Sequence, residues 1–154
     1  MLKFKDSYIV FEEIPDRVSL AVNITNCQNN CIGCHSPELR LNNGEELTEE
    51  IIDKLIKENY GIDCFLFMGE GKDHSRLMEL VRYIKENYTI KVAIYSGRDK
   101  VETEYYGLFD YVKVGGYKEE YGPLNKETTN QRLYEIGVDG IKDITYKFWK
   151  KGSR

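Results

Sequence analysis

The stretch DCFLFMGEGKDHSRLMELVRYIKENYTIKVAIYS, residues 63–96, decides the fold. It begins and ends with short continuous apolar runs, at 63–68 and 91–96, and such runs are typical of strands buried on both faces of a sheet. Between them, residues 74–88 repeat apolar side chains at helical spacing, and Asp73 can cap the helix. A helix between two buried strands predicts a βαβ unit with parallel strands.

The same alternation of strands and helices continues on both sides of this unit. The other predicted elements are strands at 8–12, 18–24 and 110–114, a helix at 48–60 and a short helix at 99–106. In the tail, predicted strands at 132–136 and 144–149 flank an Asp-Gly turn, which is typical of a β-hairpin. No linker divides the chain, so the sequence predicts one α/β domain over residues 1–154 that ends in a hairpin.

Length and charge narrow the function classes. The chain has 154 residues and a net charge of -4, whereas charge-driven nucleic-acid binding needs a basic surface. No run approaches the ~20 apolar residues of a membrane span. The N-terminal stretch MLKFKDSYIVFEEIP lacks the continuous apolar run of a secretory signal. We therefore expect a cytoplasmic protein that binds neither nucleic acid nor membranes and whose cysteines stay reduced.

A cysteine cluster follows the predicted strand 18–24 at the spacing C-x3-C-x2-C and comprises Cys27, Cys31 and Cys34. The fourth cysteine, Cys64, lies in an apolar run and is expected to be a small buried hydrophobe. Clustered thiolates repel one another unless a metal neutralises them, and soft sulfur ligands select zinc, copper(I) or iron–sulfur clusters. A structural zinc site needs four protein ligands, which His35 or His74 would complete. Two interpretations stay open on these residues: an iron–sulfur cluster and a non-catalytic Cys3His zinc module.

The cluster resembles that of the radical S-adenosylmethionine (SAM) superfamily, which carries C-x3-C-x2-C in the loop after the first strand of a βα chain. Four segments are similar to the activating proteins of anaerobic (class III) ribonucleotide reductases: NCQNNCIGCHSPEL (26–39), NNGEELT (42–48), DYVKVGGYKEEYGPLN (110–125) and TTNQRLYEI (128–136). The similarity covers nearly the whole chain, and TNQRLY is a more specific marker of this family than the cysteine motif.

The resemblance implies a radical SAM activase, an oxidoreductase whose chemistry belongs to its cofactors rather than to catalytic side chains. Cys27, Cys31 and Cys34 would hold a 4Fe-4S cluster, and SAM would bind at the fourth iron. One-electron reduction would cleave SAM to methionine and a 5′-deoxyadenosyl radical, which removes a hydrogen atom from a glycine of the large reductase subunit. The implied partners are that subunit and a flavodoxin or ferredoxin as electron donor.

The resemblance also implies which residues contact SAM. In the cluster loop they are Gly33, Cys34 and His35, the last through its backbone. After the predicted strand 63–68, Gly69 and Glu70 stand where radical SAM proteins carry a Gly-Gly-Glu-like motif that receives the methionyl amine, although Met68 replaces its first glycine. In that motif a small residue lets the backbone approach the ligand, and a carboxylate can pair with the ammonium.

Two further SAM contacts are expected at the ends of later strands. Ser96 ends the predicted strand 91–96, at the carboxyl edge where ligands of parallel sheets bind, and is a candidate partner for the SAM ribose or carboxylate. Lys113 resembles the lysine of an Asp-x-Lys motif that contacts SAM in pyruvate formate-lyase activating enzymes, with a spacing one residue longer here.

The fold implied by the resemblance is a partial, open βα barrel of parallel strands, since a full eight-stranded barrel needs ~250 residues. The open side would leave room for a glycine loop of a large partner. An alternative within the superfamily is an activase of a different glycyl radical enzyme, such as a formate-lyase type. Those activases are usually longer, and many carry cysteine-rich inserts that this chain lacks.

The polar segment 115–132 is expected to help recognise the reductase, because it holds much of the family-specific similarity. Tyr117 and Tyr121 would supply apolar contact area. Directional hydrogen bonds would come from Asn130, Gln131 and Arg132. The alternative is that TNQRL fastens the last hairpin to the rest of the fold.

Overall fold

Eight strands and three α-helices are present in the residues that the structure, a computed structural model, describes: 1–25 and 44–149. The strands are β1 (Lys3–Val10), β2 (Ser19–Ile24), β3 (Glu45–Glu46), β4 (Cys64–Met68), β5 (Lys91–Tyr95), β6 (Tyr111–Val114), β7 (Arg132–Gly137) and β8 (Gly140–Asp143). The helices are α1 (Glu49–Glu58), α2 (His74–Asn87) and α3 (Tyr105–Leu108). None of these described helices is long and apolar enough to cross a membrane.

All eight described strands belong to one sheet in the order β3-β1-β2-β4-β5-β6-β7-β8. Its centre, β2-β4-β5-β6, is parallel, as the βαβ pattern predicts. Antiparallel strands extend it on both sides. The predicted α/β class is therefore confirmed. The described strands form an open sheet with β3 and β8 as its edges, not a closed barrel.

The three helices cover one face of the sheet. They pack against sheet residues that alternate along the central strands, namely Leu20, Val22, Phe65, Phe67, Val92, Ile94 and Val112. The other face is covered by Ile14, from the segment between β1 and β2, and by Ile144, from the tail. The central strands are thus buried on both faces, which explains their continuous apolar sequences.

The predicted strand at 144–149 is wrong. β8 ends at Asp143, and Thr145–Phe148 forms a turn of 3-10 helix. The hydroxyl of Thr145 donates to Oδ1 of Asp143 at 2.6 Å and accepts from the backbone N–H of Leu133 at 2.8 Å. Such side-chain bonds compete with strand pairing, so the chain leaves the sheet here and the hairpin has an earlier second strand than predicted.

Two other elements differ from prediction at their ends. β1 begins at Lys3, before the predicted strand 8–12, because Lys3 and Phe4 pair with the two-residue strand β3. α3 begins later than the predicted helix 99–106 and is shorter, because it spans only Tyr105–Leu108. Just before it the chain forms a tight turn, in which the N–H of Tyr105 donates to the carbonyl of Glu102 at 3.0 Å.

Replacing Thr48 by alanine is expected to destabilise the protein by about 1 kcal/mol. The Thr48 side chain caps α1 by accepting a hydrogen bond from the backbone N–H of Ile51 at 3.2 Å, and alanine leaves that donor without a partner. Chemical denaturation measures the change. Lys54→Ala, at an exposed position of the same helix, is the control and should stay near wild type. An equal loss in both variants would contradict the capping role.

Candidate functional site

The carboxyl ends of the four parallel strands lie side by side, which is the edge where open parallel sheets bind ligands. One row of register partners across this edge comprises Asn23, Met68, Tyr95 and Lys113. Thr25 is the last described residue before the cysteines, so the chain enters the cysteine segment from this edge. The candidates within that segment lie outside the described residues: Cys27, Cys31, Gly33, Cys34 and His35.

The turn after β4 requires glycine. Gly69 has a φ of 109° and Gly71 a φ of 68°, values that residues with a Cβ rarely adopt. The N–H of Gly69 donates to the carbonyl of Tyr95 at 3.0 Å. A Cβ at Gly69 would lie 3.4 Å from the carbonyl oxygen of Ile24, at the end of β2. The candidate Gly69 therefore lies where the ends of neighbouring strands approach each other closely.

Glu70 is buried at the same edge, with 4% of its surface exposed. Its Oε1 accepts hydrogen bonds from the hydroxyl of Tyr105 at 2.6 Å and from Nη2 of Arg98. Its Oε2 accepts from the hydroxyl of Ser96 and from Nε of Arg98 at 3.1 Å. The sequence places Glu70 and Ser96 at one edge, and the structure brings them into direct contact.

Hydrogen bonding keeps Glu70 ionised. Burial opposes its charge, but the bonds from Arg98, Ser96 and Tyr105 outweigh burial and hold the pKa of Glu70 below its usual value. Burial, and then the hydrogen bond to Glu70, raise the pKa of Tyr105, so its hydroxyl remains a donor. The carboxylate and its three partners therefore form a stable charged cluster.

Two further groups adjoin this cluster. Nη2 of Arg98 also contacts Oε1 of Glu102 at 2.8 Å, and the hydrogen bond lowers the pKa of Glu102 to about 2. His74 has its Nε2 3.9 Å from Oε1 of Glu70 and its Nδ1 3.8 Å from Oε2 of Glu102. Glu70, His74 and Glu102 are close enough to hold a metal ion. Arg98 already supplies the positive charge between the two carboxylates.

Sequence reasoning misses three of these residues, Arg98, Glu102 and Tyr105. The position of Arg98 in the sequence could have indicated its role, because it lies shortly after β5 and therefore at the same carboxyl edge as Ser96. No motif marks Glu102 or Tyr105, and Tyr105 reaches Glu70 across 35 positions of sequence. Their roles depend on packing that only the folded chain shows.

The Ser96 hydroxyl already has two partners. It donates to Glu70 and accepts from the backbone N–H of Arg98 at 3.1 Å. A hydroxyl has one proton and two acceptor sites, so only one acceptor site remains. That remaining capacity suits a ribose hydroxyl, which can donate, and not a carboxylate, which cannot.

Lys113 has a different set of contacts at the end of β6. It is 8% exposed, and its Nζ donates to the carbonyl of Gly115 at 2.9 Å. Nζ also lies 5.1 Å from the centre of the Tyr95 ring, a cation–π distance. The hydroxyl of Tyr95 donates to the carbonyl of Glu13. Lys113 is thus anchored at the predicted edge beside Tyr95, and its carbonyl accepts from the backbone N–H of Ser96 at 2.8 Å.

Cys64 is a buried structural thiol, as the sequence predicts. It is fully buried in the first position of β4, and burial raises its pKa to about 12. Met68, at the carboxyl end of the strand, is four residues further on, which is roughly 13 Å along a strand. Cys64 therefore lies at the end of β4 away from the edge that leads to the cysteine cluster.

The end of the segment 115–132 is tied into the fold. Gln131 is 5% exposed, and Nδ2 of Asn130 donates to the carbonyl of Gly116 at 3.0 Å. Nη1 of Arg132 lies 3.5 Å from Oδ2 of Asp143 in β8. These contacts favour the interpretation that TNQRL fastens the hairpin. Tyr121, at 45% exposure, remains a surface aromatic.

Residues 17–134 match a family model described as a 4Fe-4S single cluster domain. The match covers most of the chain and includes the cysteine segment, so the chain belongs to the 4Fe-4S single cluster domain family. No curated protein matches the chain, and no solved structure matches it. The family favours an iron–sulfur cluster over zinc as the metal centre of this chain.

Replacing Arg98 by glutamine is expected to destabilise the protein by about 3 kcal/mol near neutral pH, because the buried charge of Glu70 loses its cation. Without that cation, burial would raise the pKa of Glu70, so protonation at lower pH should relieve the loss. The difference from wild type should therefore shrink as the pH falls from about 8 to about 5.5. Urea denaturation across this range measures it. The control is Arg82→Gln, at an exposed position of α2. If Arg98→Gln lost the same stability at every pH, the account of Glu70 would be contradicted.

Proposed function

We propose that this protein is a radical SAM activase that generates the glycyl radical on the large subunit of an anaerobic ribonucleotide reductase. The observation that carries the proposal is the C-x3-C-x2-C motif, which follows the first parallel strand of the sheet in a chain of the 4Fe-4S single cluster domain family. Three cysteines for a four-iron cluster leave one iron without a protein ligand. That iron is available to a cofactor such as SAM.

The donor set of the chain fits such a cluster. Cys27, Cys31 and Cys34 would bind three irons as thiolates, the ligands that iron–sulfur clusters take. Cys64 does not complete a set of four, because its thiol is buried at the other end of β4. When bound, the cluster would supply the electron that cleaves SAM to methionine and the 5′-deoxyadenosyl radical, and that radical would take the hydrogen atom from the partner's glycine.

The residues at the carboxyl edge have separate roles in this proposal. Gly33 and His35 would lie beside SAM in the cluster loop, and Gly69 would let the backbone approach the ligand. Ser96 would accept a hydrogen bond from a ribose hydroxyl, because its present contacts leave one acceptor site of its hydroxyl unused. Lys113 would offer a positive charge to the SAM carboxylate.

The open sheet supports the proposed barrel type and the proposed partner. Four parallel strands with helices on one face agree with a partial βα barrel of the radical SAM type. A sheet that does not close on itself would leave an approach for a glycine loop of the large subunit. A flavodoxin or ferredoxin would supply the electron.

The test is the radical itself. Anaerobically reconstituted protein, reduced and supplied with SAM, should give the electron paramagnetic resonance doublet of a glycyl radical on the purified large subunit of a class III reductase. A formate-lyase-type glycyl radical enzyme is the comparison partner and should stay silent. If the radical formed only on that enzyme, this protein would be an activase of the formate-lyase type instead. A colourless protein with one zinc per chain would overturn the proposal.

Replacing Tyr117 and Tyr121 together by alanine is expected to lower the glycyl radical yield while SAM cleavage continues, because these two tyrosines would contact the reductase and not SAM. Tyr121 is 45% exposed and can supply apolar contact area. Tyr60→Ala, with a tyrosine 91% exposed after α1, is the matched control. A wild-type radical yield in the double variant would contradict this docking role.

A further inference from the structure

We propose that Glu70 is a positioning residue: its carboxylate holds the turns after β4 and β5 in the shape that binds SAM, and it does not itself receive the methionyl ammonium. This inference rests on the proposed function and deepens it. It assigns to Glu70 a role different from the one that the Gly-Gly-Glu-like motif implies.

The hydrogen-bonding capacity of the Glu70 carboxylate is filled. An ionised carboxylate has about four acceptor sites, two on each oxygen. In Glu70, Oε1 receives Tyr105 and one nitrogen of Arg98, and Oε2 receives Ser96 and the other nitrogen. All four sites are thus in use. An ammonium can bind here only if it displaces one of these donors.

The negative charge of Glu70 is already balanced. Arg98 neutralises Glu70 and also pairs with Glu102. A further cation placed on Glu70 would lie against the guanidinium of Arg98, and like charges at such distances repel. Displacing Arg98 would break a two-point pair with a buried carboxylate, which is the stronger geometry. The cluster is therefore complete without a ligand.

The cluster around Glu70 also connects segments that follow different strands. Glu70 follows β4, whereas Ser96 and Arg98 follow β5 and Tyr105 begins α3. The carbonyl of Arg98 in turn accepts from the N–H of Gly115, just past β6, at 2.6 Å. The carboxylate thus links the turn after β4 to the turn after β5, and a backbone hydrogen bond links that second turn to the end of β6.

Measuring the binding of two ligands to wild type and to one variant separates a positioning role of Glu70 from a direct contact with the ammonium. The variant is Glu70→Gln, and the two probes are SAM and the SAM analogue in which hydrogen replaces the methionyl amino group. Both are titrated calorimetrically into the unreduced, cluster-loaded protein, so no turnover occurs. Positioning predicts that both probes lose affinity, by about tenfold or more, because displaced binding groups lose their alignment. The two losses should agree within about twofold.

Other results would overturn the inference. A loss of about tenfold for SAM alone, with the analogue unaffected, would show a direct contact with the ammonium. Unchanged affinity for both probes would show that the cluster is structural only. A wild-type protein that carries its cluster and binds neither probe would overturn the proposed function and, with it, this role in binding.

A second variant serves if Glu70→Gln does not fold. Tyr105→Phe removes one donor and leaves the charge of Glu70 in place. Positioning predicts weaker SAM binding, by a few-fold, since the turn loosens. Direct contact predicts equal or stronger binding, because one acceptor site of Glu70 becomes available to the ammonium. Tyr106→Phe, at the next position of α3, is the matched control and should bind SAM as wild type does.

Discussion

Alanine at any one of Cys27, Cys31 or Cys34 is expected to abolish the stable four-iron cluster and, with it, SAM cleavage. In the proposed cluster each thiolate would bind one iron and SAM would take the fourth, so the loss of one cysteine would leave a second iron without its thiolate. Iron analysis and the broad absorption near ~400 nm of anaerobically reconstituted protein measure the loss. We expect all three variants to fail alike.

Cys64→Ala is the matched control for this series. Its thiol is fully buried in β4, and removing one sulfur leaves only a small cavity, which should cost about 1–2 kcal/mol of stability. Iron content and SAM cleavage should stay at wild-type levels. If Cys64→Ala lost iron as completely as Cys31→Ala, the assignment of three ligands and one open iron would be wrong.

Gly69→Val is expected to retain iron but lose SAM binding. At a φ of 109° a residue with a Cβ is strained, at a cost of about 1–3 kcal/mol. The branched side chain would also fill the space beside the carbonyl of Ile24, where the backbone is proposed to approach SAM. Titration of SAM against the cluster-loaded variant measures the loss of affinity, and denaturation measures the strain.

The control for Gly69→Val is the same substitution at Gly137, at the end of β7. A Cβ at Gly137 would meet no atom of the described residues within 4 Å, and the φ of Gly137 is not positive. Gly137→Val should therefore bind SAM as wild type does. If Gly69→Val bound SAM with wild-type affinity, Gly69 would not be part of the SAM-binding site.

The sequence predicts the centre of the fold well because local signals there agree with the packing. The apolar runs at 63–68 and 91–96 and the helix between them become β4, α2 and β5 within a residue or two. The same strand order predicts that Gly69, Ser96 and Lys113 lie at one edge, and they do. Because these segments are buried on both faces of the sheet, their apolar sequences indicate the strands directly.

The rest could not be predicted because it depends on contacts between distant positions. The sequence offers Glu70 as a ligand for an ammonium, but its partners Arg98 and Tyr105 come from other loops and fill its acceptor sites. The alternating pattern at 144–149 resembles a strand, but the side chain of Thr145 turns the chain away. In both cases a side-chain hydrogen bond overrides a local pattern.

The most direct test of the central claim is the cleavage of SAM by the protein alone. Anaerobically reconstituted protein with about four irons per chain, reduced by dithionite and supplied with SAM, should form methionine and 5′-deoxyadenosine in equal amounts, and the Cys31→Ala variant should form neither. Liquid chromatography with mass spectrometry measures both products. Protein that is fully loaded with iron and reduced, yet leaves SAM intact, would contradict the account.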